Sequence, residues 1–132
     1  VAASRERAND AVIPTARLAS VSSAYWCRMR EKSHLRWVLP EREEPLLDAL
    51  ARLAAADRLG LGPDTRYVGS FRAHGLVVPV WDLPLDREAA ALEEPATALR
   101  LALDEELASP RALTGPERRA RAVLLSRQLT LR

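Results

Sequence analysis

Two stretches of this chain, residues 25–39 and 66–83, alternate their side chains with a period of two and double back on themselves. In the first, Tyr25, Cys27 and Met29 alternate with Trp26, Arg28 and Arg30. After a turn near Glu31-Lys32-Ser33, Leu35, Trp37 and Leu39 alternate with His34, Arg36 and Val38. Successive residues of a strand face opposite sides of a sheet, so this pattern predicts a half-buried antiparallel hairpin. The expected core set is Tyr25, Cys27, Met29, Leu35, Trp37 and Leu39. That places Trp26, Arg28, His34 and Arg36 together on the other face. The second stretch turns at Ala73-His74-Gly75, and its return strand sets Leu76, Val78 and Val80 against Val77, Pro79 and Trp81. Such a strand is apolar on both sides, so its Val77-Pro79-Trp81 back needs a cover, either a terminal helix or another chain. Proline cannot donate to a ladder, so Pro79 predicts an edge position or a bulge.

Each hairpin closes in Leu-Pro, at Leu39-Pro40 and Leu83-Pro84, and each is followed by Glu-Glu-Pro opening a leucine-striped segment. Residues 43–58 carry Leu46, Leu50 and Leu53 on one helical face, with Asp48 and Arg52 as an i,i+4 pair on the wet side. Residues 86–108 carry Ala96, Leu99, Leu103 and Leu107, with a break or restart at Pro95. Glu43-Glu44 and Glu93-Glu94 suit the positive end of a helix and read as caps. Thr114 followed three residues later by Glu117 is a capping-box pattern, opening a last helix to about Arg127. Leu129 and Leu131 alternate in a closing segment that could form a short strand, and a short helix is expected ahead of Pro14. Tyr25 to Arg30 also matches Tyr67 to Arg72 in spacing, an internal echo. The predicted fold is α+β: a four-stranded antiparallel sheet from two ββα units with additional terminal helices. All 132 residues then form one domain: a lead-in over 1–23, ββα units over 24–60 and 64–108, and a helix within 114–132.

A chain of this length buries roughly two-thirds of its unfolded surface, so its core needs neither disulfide nor metal. Hydrophobic residues make up 48% and charged residues 29%, a globular composition. The net charge is only +2 and the charges are mixed along the chain, which argues against a dedicated nucleic-acid binder. Lys32 is the only lysine, and the Arg, Ala and Leu surplus reads first as the codon bias of a GC-rich bacterial genome. The lone Cys27 excludes a disulfide framework and a thiolate zinc site. No signal peptide or membrane-length apolar run is present, so the expectation is a cytoplasmic protein with no membrane partner. The first residue is Val1 rather than Met, and the expectation is a piece of a longer protein.

Candidate chemistry is sparse. Cys27 is expected on the core face, where thiols are inert. His34 and His74 sit at the turns of the two hairpins. If those turns share a rim, the two imidazoles with Asp82 make a minimal metal site, but no ligand spacing supports it, and no metal or cofactor is expected. Gly60-Leu61-Gly62-Pro63-Asp64 is a turn and lacks the Gly-Lys-Ser/Thr ending of a phosphate loop. No catalytic residues are assigned.

The phrases ERANDAVIPTARL, AYWCRM, HLRWVLP, RYVGSFRAHGLVVPVWDLP and ERRARAVLLSRQLTLR resemble the C-terminal half of an uncharacterised actinobacterial protein family. The resemblance covers essentially the whole chain, with the two hairpins its most specific parts. Some members of that family carry SecA-like or topoisomerase-like labels. This chain has no P-loop of the kind an ATP-driven motor needs. The resemblance implies a missing N-terminal part and assigns no functional residues.

The expected role is a non-catalytic protein-interaction or regulatory domain. Its partner would be another protein, the N-terminal part of its own chain, or a second copy. The expected binding residues are Trp26, Arg28, Arg36, His34, His74 and Trp81, since Trp and Arg are enriched at interface hot spots. The alternative is a nucleic-acid-binding module using the Trp/Arg face of the first hairpin for stacking and phosphate contact.

Overall fold

A computed structural model describes residues 15–129. The strands are β1 (Thr15–Arg17), β2 (Ala24–Arg28), β3 (Ser33–Trp37), β4 (Arg66–Ala73) and β5 (Leu76–Leu83). The helices are α1 (Glu43–Ala55), α2 (Glu93–Ala108), preceded by a 3-10 turn over Ala89–Leu92, and α3 (Gly115–Ser126). The fold is α+β, and the five strands form one antiparallel sheet in the order β1-β2-β3-β5-β4. The expected four strands thus become five, because Thr15–Arg17, expected as an irregular approach, pairs with Tyr25–Cys27. The N-terminal helix expected ahead of Pro14 lies outside the described residues.

β3 and β5 are the central pair, with Leu35 opposite Trp81 and Arg36 opposite Val80. Pro79 therefore stands in an interior strand and not at an edge. Its neighbour β4 carries a bulge between Tyr67 and Gly69, one pair away from the Ser70–Pro79 position. The turn His74-Gly75 has φ of +53° and +80°, the left-handed pair that a two-residue hairpin turn requires.

The helices cover one face of the sheet. Trp26, Leu35, Trp37, Leu39, Val77, Trp81 and Leu83 of that face form one cluster with Leu46, Leu50 and Leu53 of α1, Ala96, Leu99 and Leu103 of α2, and Leu124 of α3. The cover expected for Val77 and Trp81 is therefore supplied from within this chain. Each tryptophan N–H finds a carbonyl: Trp26 donates to Arg87 at 2.9 Å, Trp37 to Ser22 at 3.0 Å and Trp81 to Leu59 at 2.7 Å. Large indoles can be buried here because their single polar atom is satisfied.

Helix α1 is the centre of the helical layer. The side expected to be wet is covered by the α2–α3 connection, so Arg52 is buried and donates to the carbonyls of Glu106 and Arg111. Asp48 pairs instead with Arg121 of α3 at 2.7 Å. The capping box forms as expected: Thr114 N–H donates to Glu117 Oε1 at 2.9 Å, and Glu117 N–H donates to Thr114 Oγ1 at 3.3 Å. The acidic residues at the other helix starts also act at longer range. Glu43 accepts from Arg72 Nε at 2.8 Å, and Glu93 accepts from the backbone N–H groups of Ala19 and Ser20, tying the β1–β2 connection to α2.

Candidate functional site

No described helix lies on the second face of the sheet, and the register brings its residues into rows. One row runs Arg17–Tyr25–Arg36–Val80, and the next runs Thr15–Cys27–His34–Asp82–Arg66. Phe71, opposite Val78, lies beyond Val80 on the same face. An open groove of about 420 Å³ crosses this face. Its floor is Met29, Val68, Phe71, Val80 and Leu129, and Lys32, Arg36 and Arg66 stand around it.

Charge on this face is one-sided. Asp82 is its carboxylate: Oδ2 lies 2.9 Å from Lys32 Nζ and 3.6 Å from Arg66 Nη2, and Oδ1 lies 3.0 Å from His34 Nδ1. The His34 contact is close but not aligned as a hydrogen bond, and its Nδ1 has no other partner among the described residues. Arg17 and Arg36 meet no carboxylate among the described residues. Arg36 lies over the Phe71 ring, 5.9 Å from its centroid. The Tyr25 ring is 42% exposed, which leaves it the open aromatic of this face.

These positions correct the expected grouping. β2 is turned by one residue relative to the expectation, so Trp26 faces the helices at 5% exposure while Tyr25, Cys27 and Met29 face away from them. The cause is competition within one strand. The indole buries more apolar area than the phenol or thiol, and its N–H reaches the Arg87 carbonyl. Trp81 is likewise sealed in the core, at 1% exposure, stacked edge-on by Tyr67 at 5.4 Å and tilted against Trp37 at 6.2 Å. Arg28 stands at the rim of the helical side, 5.3 Å from the centre of the Trp26 ring and ion-paired with Glu88. Of the expected binding residues, only His34 and Arg36 share the open face. The echo between Tyr25 and Tyr67 also parts here, since Tyr67 pairs with Trp81 and packs against the core.

His34 and His74 do not share a rim. β3 and β5 run antiparallel, so the two hairpin tips point to opposite ends of the sheet. Along β5, Asp82 beside His34 and Leu76 beside the His74 turn are separated by ~20 Å at the usual rise per residue. The expected His34–His74–Asp82 set is therefore split, and only His34 and Asp82 meet.

The row Cys27–His34–Asp82 contains the residue types of a thiol-based active site, a juxtaposition hidden as long as Cys27 is assigned to the core. Burial pushes the Cys27 thiol up from its ordinary value, against a smaller lowering effect of Arg36. A nucleophilic cysteine needs the opposite shift. Arg17, Tyr25 and Arg36 share the open face through the strand register, Arg17 opposite Tyr25 and Tyr25 opposite Arg36, which alternation within a single strand does not record.

No curated protein and no solved structure matches this chain. A family model described as "Family of unknown function (DUF5926)" matches residues 1–132. The chain, whose described strands form one five-stranded antiparallel sheet, belongs to that family of unknown function.

Proposed function

We propose that this chain is a non-catalytic interaction domain that docks an acidic partner on the uncovered face of its sheet. The observation that carries this reading is the gathering of Lys32, Arg36 and Arg66 around the apolar groove of this face, where Asp82 is the lining carboxylate. On the helical side Arg72 of β4 pairs with Glu43, Arg100 with Glu41 and Asp104, Arg111 with Glu117, and Arg121 with Glu44 and Asp48, while Arg42, Arg58, Arg118 and Arg119 form no ion pair among the described residues. The open face keeps Arg17 and Arg36 without such a partner among the described residues, and Lys32 and Arg66 share the one carboxylate of Asp82. Cations gathered around an apolar floor attract a polyanion and add contact area once it is seated. The raised Cys27 thiol argues against a thiolate nucleophile on this face.

The test is a titration of the protein with two fluorescent polyanions, a polyglutamate peptide and an oligonucleotide, at low and moderate salt. Salt-sensitive binding of either, weakened in an Arg17→Ala/Arg36→Ala variant, is the expected result. Equal binding by wild type and variant would remove the open face as the site.

A further inference from the structure

We infer that the acidic partner of the open face is a single-stranded nucleic acid, with Tyr25 as the stacking residue. This rests on the docking role proposed for that face and names its ligand. Three observations favour a nucleic acid over an acidic peptide. Tyr25 is paired in register with Arg17 on one side and Arg36 on the other, so an exposed tyrosine stands between two arginine positions on adjacent strands. Neighbouring strands lie ~4.8 Å apart, so the backbones of the two arginines are ~10 Å from each other across Tyr25, with the Arg36 guanidinium reaching on toward Phe71. Arg36 already covers Phe71, which leaves Tyr25 as the ring free to receive a base. The described helices lie on the other face of the antiparallel sheet, so an unpaired strand can lie across this one with bases down and phosphates toward Arg17, Arg36, Lys32 and Arg66. Single strands are bound in this way by stacking on aromatics within a cationic surface. A carboxylate peptide would use the cations and gain little from the ring.

The experiment titrates the protein with a fluorescent ten-nucleotide oligo-dT, the same length of duplex DNA and a polyglutamate peptide. The proteins are wild type, Tyr25→Ala, Tyr25→Phe and Arg17→Ala/Arg36→Ala, with circular dichroism to confirm that each variant is folded. The expected result is tighter binding of oligo-dT than of duplex or peptide. Tyr25→Ala should weaken it about 5- to 150-fold, while Tyr25→Phe keeps it. The double arginine variant should lower the salt slope by about 1.4, roughly 0.7 for each phosphate that is no longer neutralised. Polyglutamate binding as tight as oligo-dT, with Tyr25→Ala unaffected, would overturn the inference and leave the acidic-partner role standing. Binding of duplex as tight as oligo-dT with Tyr25→Ala unaffected would overturn it also. No binding of any probe at low salt would overturn both.

Discussion

The carbonyl of Arg127 passes so close to Gly69 that a Cβ on Gly69 would overlap its oxygen and sit 3.1 Å from Leu129 Cγ. Gly69 also has φ of +150°, where side chains are rarely tolerated, and lies at the bulge of β4. The bare backbone lets Ser70 exchange two hydrogen bonds with the tail: its N–H donates to Arg127 O at 3.2 Å, and its O accepts from Leu129 N–H at 2.7 Å. The tail thus pairs with the outer edge of β4 at Ser70 and brings Leu129 to the groove. Gly69→Ala should cost about 1–3 kcal/mol from strain and release this pairing. Urea denaturation measures the first, and faster hydrogen exchange at the Leu129 amide measures the second. Unchanged exchange there would contradict the assignment.

Trp26 and Tyr25 are neighbours in sequence with opposite roles. Trp26→Phe should destabilise the fold by about 1–3 kcal/mol, because it leaves the Arg87 carbonyl without its donor. It should leave polyanion binding unaltered. Denaturation and binding measured on the same variant separate the two, and reduced affinity with unchanged stability would put the indole back on the binding face.

Asp82 lies against Lys32, Arg66 and His34 and offsets the charge of the two cations Lys32 and Arg66. Asp82→Asn removes the carboxylate from the binding face and should raise affinity for a polyanion roughly two- to tenfold at low salt. The gain should fade as salt is added, since exposed charges are screened. Weaker binding would mean that the carboxylate orients the cations instead of competing with the ligand.

Glu117 is one acid-sensitive point of the helical layer, beside Glu43 and Glu93, whose carboxyls are also held below the ordinary range by hydrogen bonds from Arg72 and from the Ala19 N–H. The paired hydrogen bonds from Arg111, together with the Thr114 N–H, hold the Glu117 carboxyl down at about 2. A lowered folded-state value means that its stabilisation is complete above the ordinary carboxylate range. It is lost as the pH falls from about 4.5 toward 2. Glu117→Gln should therefore flatten the pH dependence of unfolding in that window, read from urea midpoints at a series of pH values. Thr114→Ala, which removes the other half of the box, should cost about 1 kcal/mol.

Arg52 shows how a surface pattern becomes a buried contact. By spacing it belongs with Asp48 on an exposed helix side, yet it is 5% exposed and donates to the carbonyls of Glu106 and Arg111. Arg52→Met keeps the apolar stem but takes the donor from the Arg111 carbonyl, while Glu106 O still accepts from Ser109 N–H, and should cost about 1–3 kcal/mol. Arg52→Lys should recover only part of it, since one ammonium cannot reproduce the guanidinium fork. Thermal unfolding of the two variants checks the order.

Local chemistry was readable from the residues themselves. The hairpins, the Leu46-Leu50-Leu53 and Ala96-Leu99-Leu103 stripes, and the Thr114–Glu117 box all depend on neighbours a few positions away, so period and capping rules suffice. The α+β class and the antiparallel pairing within each hairpin follow from the same patterns. Tertiary competition decided the rest. Strand alternation states which residues share a face but not which face is buried, and in β2 the indole of Trp26 took the core place expected for Tyr25 and Cys27. That choice moved the open aromatic from Trp26 to Tyr25. The pairing of β3 with β5 sent His34 and His74 to opposite ends, and the crowding of α1 by α2 and α3 turned Arg52 inward. Each of these outcomes depends on apolar area and backbone carbonyls supplied by segments distant in the chain, whose arrival no local pattern records.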